Sequence, residues 1–197
     1  AYTIVVAAGD ATTTTAAQLN TLNGKTTVAV DLTNVTALAG SNLSDLETLA
    51  SSINANEFSN DSGLTTIALT DTTIDATTLA STIDSYDTIS AGITDMTLAS
   101  GATINVDAGE ITHMLADESA GRLTIVDQVI TVNSAATISV DTANLLEATT
   151  TGVVTASITT TESVSELNTL TGTNGAYTIV VASGDATSTT AVSYTHL

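Results

Sequence analysis

The sequence has no cysteine, no proline and no tryptophan, and a single phenylalanine among 197 residues. Without cysteine there is neither a disulfide framework nor a thiolate metal site. Basic residues are almost as scarce. Lys25 and Arg122 stand against 21 acidic residues, a formal net charge of −19. A chain with so few cations can neither neutralise a phosphate backbone nor present a polybasic patch to an anionic bilayer, which argues against nucleic-acid and acidic-membrane partners. No apolar run approaches the roughly 20 residues of a membrane-spanning helix, so membrane insertion is not expected. No basic leader precedes the strand-like run that opens at Ala1.

What is present is small and β-branched. Hydrophobic residues make up 43% of the chain and mean hydropathy is +0.33. That is too apolar for a disordered acidic tail. Threonine is the commonest residue, and Val, Ile, Ala and Leu supply most of the rest of the apolar pattern. Such residues suit thin, regular layers of core better than one aromatic-rich centre.

The chain also repeats itself. AYTIVVAAGDATTTTA (1–16) returns as AYTIVVASGDATSTTA (176–191), differing only at Ala8/Ser183 and Thr13/Ser188. Between the copies a looser period of roughly 29 residues divides the sequence into units 1–26, 27–63, 64–92, 93–122, 123–152 and 153–175, with 176–191 restarting the first. SGATINVD (100–107) and SAATISVD (134–141) agree at six of eight positions.

Each unit opens with an alternating stretch: YTIVVA, TVAVDL, TTIALT, ITDMTL, VITV, VVTASI. Such alternation predicts a strand with one buried face. ATINV and ATISV read as second strands. Leucine-spaced segments follow (AAQLNTL, LSDLETLASSI, EITHMLA, ANLLEA, VSELNTL) and predict one or two helical turns. Ser163–Glu166 and Ser44–Glu47 read as capping boxes, and Asp107 and Asp141 as N-caps. The long 27–63 unit has room for an extra outer helix over ASSINANEF. Glycines at 24, 63, 92, 121, 152 and 175 mark unit ends.

The fold expected from this grammar is mainly β: a β-solenoid of strand–turn–short-helix repeats with parallel sheets, a single array over 1–191. Residues 192–197 (VSYTHL) leave the register, where AQLNTL would continue it. They read as a non-native sequencing-adapter tail, which would leave His196 without a role.

Motifs for chemistry are few. A nucleophile–base pair needs a proton acceptor, and His113 and Lys25 are the available side chains. His113, in EITHMLA, reads as a polar residue on the exposed side of a short helix. No serine sits in a GxSxG or SxxK context. Carboxylate pairs occur at Asp117 with Glu118, Asp71 with Asp75, and Asp84 with Asp87. Glycosidase chemistry would require a cleft that desolvates one member of such a pair. No catalytic residue and no cofactor is therefore assigned. Oxygen-rich turns offer Ca²⁺ ligands at Asp10, Asp61, Asp71, Asp75 and Asp185. The calcium nonapeptide and EF-hand patterns are absent.

At TTIALTDTTI (65–74), ATISVDTANLLEA (136–148) and VVTASITTTESVSELNTL (153–170) the chain resembles the giant extracellular β-strand-repeat surface proteins of bacteria. These are adhesins and surface-layer proteins of marine cyanobacteria and proteobacteria. The resemblance implies a non-catalytic structural or adhesive role outside the cell or on its surface. It implies as partners the neighbouring repeats of the same chain, and surface polysaccharide or other cells. A calcium- or glycan-binding repeat module is the second reading, and a polysaccharide-active β-helix enzyme the third.

Overall fold

The alternation in TTIALT does what its pattern predicts: Thr66 and Ala68 are half-buried while Ile67 and Leu69 are buried. In the computed structural model, which describes residues 3–89 and 92–181, such short strands alternate with helices. In chain order these are α1 (Ala16–Asn23), β1 (Val30–Asp31), β2 (Ala37–Ser41), α2 (Leu43–Asn54), β3 (Phe58–Ser59), β4 (Thr66–Leu69), β5 (Thr73–Asp75) and α3 (Ala76–Ile89). There follow β6 (Asp95–Thr97), β7 (Thr103–Val106), α4 (Ile111–Ser119), β8 (Leu123–Thr124), β9 (Val129–Val132), α5 (Val140–Thr149), β10 (Val154–Ser157), α6 (Val164–Leu167) and β11 (Gly175–Thr178).

Among the described residues all strand pairings are parallel, and in the two larger sheets neighbours belong to successive units. β2, β4, β6 and β8 form one sheet in that order, β5, β7, β9, β10 and β11 a second, and β1 with β3 a pair. Register stacks like side chains. Leu38, Ile67, Met96 and Leu123 form one row, and Ile74, Ile104, Ile130 and Val154 another. All eight are buried. At roughly 1.5–3 kcal/mol for each large apolar side chain withdrawn from water, these rows are a principal source of stability.

The expected mainly-β solenoid is corrected. The chain is mixed α/β, 36% helix and 23% strand, with its parallel sheets in an α/β arrangement. Two features misled the sequence reading. First, one leucine-spaced segment is longer than one or two turns. LSDLETLASSI lies within the 12-residue α2, whose Ala50 and Ile53 are buried, so ASSINANEF supplies no separate outer helix. Second, the threonine-rich ATTLASTIDSYDTI forms α3, 14 residues long, with Leu79, Ala80, Ile83 and Tyr86 inward at helical spacing. Threonine is tolerated there because its hydroxyl bonds the preceding turn. Thr82 donates to the Thr78 carbonyl at 2.8 Å, as Thr21 does to Ala17 and Thr48 to Ser44. Tyr86, whose phenol burial pushes to a higher pKa, donates its hydroxyl to the Leu46 carbonyl at 3.1 Å and ties α3 to α2.

Near-identical sequences also diverge. SGATINVD forms β7, whereas SAATISVD gives one isolated bridge at Ile138 and then starts α5. Ser139, where the first segment has Asn105, is the N-cap of that helix, accepting from Thr142 N–H. In the opening YTIVVA the described residues make one bridge, Val5 to Asp31, while Ala176 to Thr178 of the later copy belong to β11.

Capping is corrected likewise. Ser163 and Glu166 do form a capping box, but α2 is capped by Asn42 rather than Ser44, and α5 by Ser139 rather than Asp141. α4 begins after Glu110, and Asp107 instead accepts from Asn133 Nδ2 at 2.9 Å.

Candidate functional site

The described carboxylates proposed for calcium are engaged in different local structures. Asp10 ends an exposed 3₁₀ turn (Ala8–Asp10), and Asp61 begins another (Asp61–Gly63) with its Oδ2 buried and without a hydrogen bond. Asp75 accepts from the Thr78 N–H at 2.9 Å and the Thr78 hydroxyl at 3.1 Å, holding the first turn of α3. Asp71 accepts from the Leu43 N–H at 2.9 Å. Asp185 and His196, with the whole 192–197 tail, lie outside the described residues. Among the described residues, no group of three or more His, Asp and Glu side chains is placed to hold a metal ion.

The Asp71 contact belongs to a recurring arrangement that local motifs did not predict. A helix begins with N–H groups that have no intrahelical acceptor, and a negative group there also meets the positive end of the helix dipole. In three helices the first N–H is met by a side chain of the following unit. Ala16 N–H of α1 donates to Ser41 Oγ at 2.9 Å, Leu43 N–H of α2 to Asp71, and Val140 N–H of α5 to Glu162 Oε1 at 3.1 Å.

Other polar side chains bridge the same way. Asn20 Nδ2 donates to the Asp45 carbonyl at 2.9 Å, Gln128 Nε2 to the Ala99 carbonyl at 3.0 Å, and Thr124 Oγ1 to Asp95 Oδ1 at 2.7 Å. Asn144 accepts from Thr171 N–H and donates to the Thr169 carbonyl, both at 2.9 Å.

Among the described residues, ionisable groups gather between α3 and α4. Asp84 and Asp87 stand on α3, while Glu110, His113 and Asp117 stand at or within α4. Arg122 follows the left-handed Gly121 (φ 76°) that turns the chain out of α4. Arg122 donates from Nε to Asp117 Oδ1 at 3.0 Å and from Nη1 to Asp87 Oδ2 at 3.2 Å. The bond to Asp117 is the main cause of the guanidinium pKa rising further. Asp117 is 1% exposed, and its other oxygen, Oδ2, is buried without a hydrogen bond.

His113, read from sequence as an exposed polar residue, is half-buried among carboxylates. Its ring nitrogens lie 3.7 Å from Asp84, 3.9 Å from Glu110 and 3.8 Å from Asp117. An open depression of about 450 Å³ beside it is lined by Thr77, Ser81, Ser85, Thr88 and neighbouring residues. Ser85 and Thr88 spend their hydroxyls on helix carbonyls, at 2.8 Å each. The cluster thus surrounds an imidazole with acids, with two of the nearby hydroxyls already committed to the helix. Through Arg122, which reaches both Asp87 and Asp117, the cluster joins α3 to α4. Sequence spacing offered half of the signal, since Asp84/Asp87 and His113/Asp117 each share a helix face. Their juxtaposition depended on recognising α3 as a helix.

No protein-family model, curated protein or solved structure matches this chain. Fold and site together define a mixed α/β chain whose polar chemistry is largely directed at joining successive units. Among the described residues, no helix is long and apolar enough to cross a membrane.

Proposed function

We propose that the chain is a non-catalytic structural and adhesive repeat segment of a large, acidic, extracellular or cell-surface bacterial protein. The observation that carries this reading is the use of polar side chains across units. Asp71, Ser41 and Glu162 each cap the helix of the preceding unit, and Asn20, Gln128 and Asn144 bridge neighbours. These acid, amide and hydroxyl side chains serve cohesion between units. A net charge of −19 keeps such a surface soluble and leaves acidic and hydroxyl groups to meet polysaccharide or another cell.

Labelling of intact and permeabilised source cells with an antibody against the chain tests this reading. Label on intact cells is expected. Label confined to permeabilised cells would overturn it.

A further inference from the structure

Three carboxylates face one imidazole across the boundary between two units. Asp84 comes from α3 of unit 64–92, and Glu110, His113 and Asp117 come from α4 and its N-cap in unit 93–122. Asp84 Oδ1 lies 3.7 Å and Asp117 Oδ2 3.8 Å from His113 Nε2, and Glu110 Oε2 lies 3.9 Å from His113 Nδ1. All three separations are longer than a hydrogen bond. Asp117 is 1% exposed, and Arg122 occupies its Oδ1. Its Oδ2 is buried without any hydrogen bond. Such an oxygen is costly to leave without a donor, and the group held opposite it is the His113 ring.

The ring's protonation state decides what it offers. A neutral imidazole has one N–H and one lone pair, so in either tautomer one ring nitrogen turns a lone pair towards a carboxylate. An imidazolium has two N–H donors, one for each side. We propose that His113 is a proton-operated clasp between α3 and α4. On protonation, Nε2–H closes on Asp117 Oδ2 and Asp84 Oδ1 and Nδ1–H closes on Glu110, tightening the junction between the two units as pH falls through the histidine range.

The charges around the ring fit this use. α3 carries Asp84 and Asp87, and α4 with its N-cap carries Glu110 and Asp117. β8, also packed on α4, has no titratable side chain. Arg122 is the opposing positive charge, and it is drawn to Asp117 Oδ1 and Asp87 Oδ2 rather than to the oxygens that face the ring. A proton bound more firmly by the folded chain than by the unfolded one adds stability where it is bound and none at higher pH.

Urea midpoints of the full chain and of His113→Gln, from about pH 8 to about pH 6, test the clasp. In that window an ordinary imidazole titrates and an ordinary carboxylic acid does not. His196 is present in both chains and cancels in the difference. The parent's advantage over His113→Gln is expected to grow as pH falls, and to grow less in an Asp84→Asn background. A gap that stays constant or narrows would overturn protonation as the operating event. Growth untouched by Asp84→Asn would overturn the link between the helices. Asp84 is 58% exposed, so Asp84→Asn is expected to fold. NMR titration of the His113 ring in the parent and in Asp84→Asn gives a second reading that does not need the His113 variant. The midpoint is expected at lower pH in Asp84→Asn, and an unchanged midpoint would overturn the proposal.

Discussion

The Asp71 carboxylate accepts the backbone N–H of Leu43 at 2.9 Å, so the first turn of α2 is held by the unit that follows it. Asn42 caps the same helix locally through the Asp45 N–H at 2.8 Å. Each contact satisfies a different N–H, and their losses should combine nearly additively. Asp71→Ala and Asn42→Ala are each expected to cost about 1 kcal/mol. Urea denaturation of the single and double variants measures this. An unchanged midpoint for Asp71→Ala would remove the cross-unit cap from the account of stability.

The row of Ile74, Ile104, Ile130 and Val154 predicts a sharp contrast between inner and outer apolar positions. Ile104 is fully buried between its neighbours, whereas Leu145 is 57% exposed on α5. Truncating Ile104 to alanine should cost about 2–4 kcal/mol through lost transfer energy and the cavity left behind. Leu145→Ala should stay within about 0.5 kcal/mol of the parent. Comparable losses at both positions would contradict the assigned register.

Arg122 supplies the positive charge beside Asp117, which is 1% exposed. Arg122→Met leaves that carboxylate buried without its partner and should destabilise the fold by about 2–3 kcal/mol, less than a fully enclosed pair because the guanidinium is itself partly solvated. Adding Asp117→Asn should restore part of the loss. A double-mutant cycle in urea checks both steps, and strictly additive losses would mean the two side chains are not coupled.

Asp127 gives a pH prediction whose sign follows from its hydrogen bonds. The Ser100 hydroxyl, and then the Gly101 N–H at 3.2 Å, hold its pKa below the ordinary 3.8. A carboxylate whose folded value is depressed adds stability that is fully present above the unfolded value and is lost as pH falls through the folded one. Asp127→Asn should therefore be less stable than the parent at pH 7, with the gap narrowing towards pH 3. Urea midpoints of both chains across that range decide it. A gap of constant size would show that the charge contributes nothing.

Much of the strand pattern was legible. TTIALT, ITDMTL, ATINV, VITV and VVTASI all contain strands, because a side chain on every second residue must choose between core and solvent. The helix of ATTLASTIDSYDTI was not legible, because threonine and isoleucine favour strands by local preference while its inward residues follow helical spacing. The His113 and Arg122 cluster was lost with it, since Asp84 and Asp87 reach α4 only from a helix.

By itself, the sequence determined composition, charge, the repeat and the alternation of most strands, all of which rest on neighbours a few residues apart. The tertiary structure decided the rest. It made SAATISVD the start of a helix while SGATINVD became a strand, and set the Asp71 carboxylate on the first turn of the preceding unit's helix. It also buried Val6 while leaving its twin Val181 exposed. A segment's burial and its hydrogen-bond partners depend on what packs beside it, and here those partners lie one unit away along the chain.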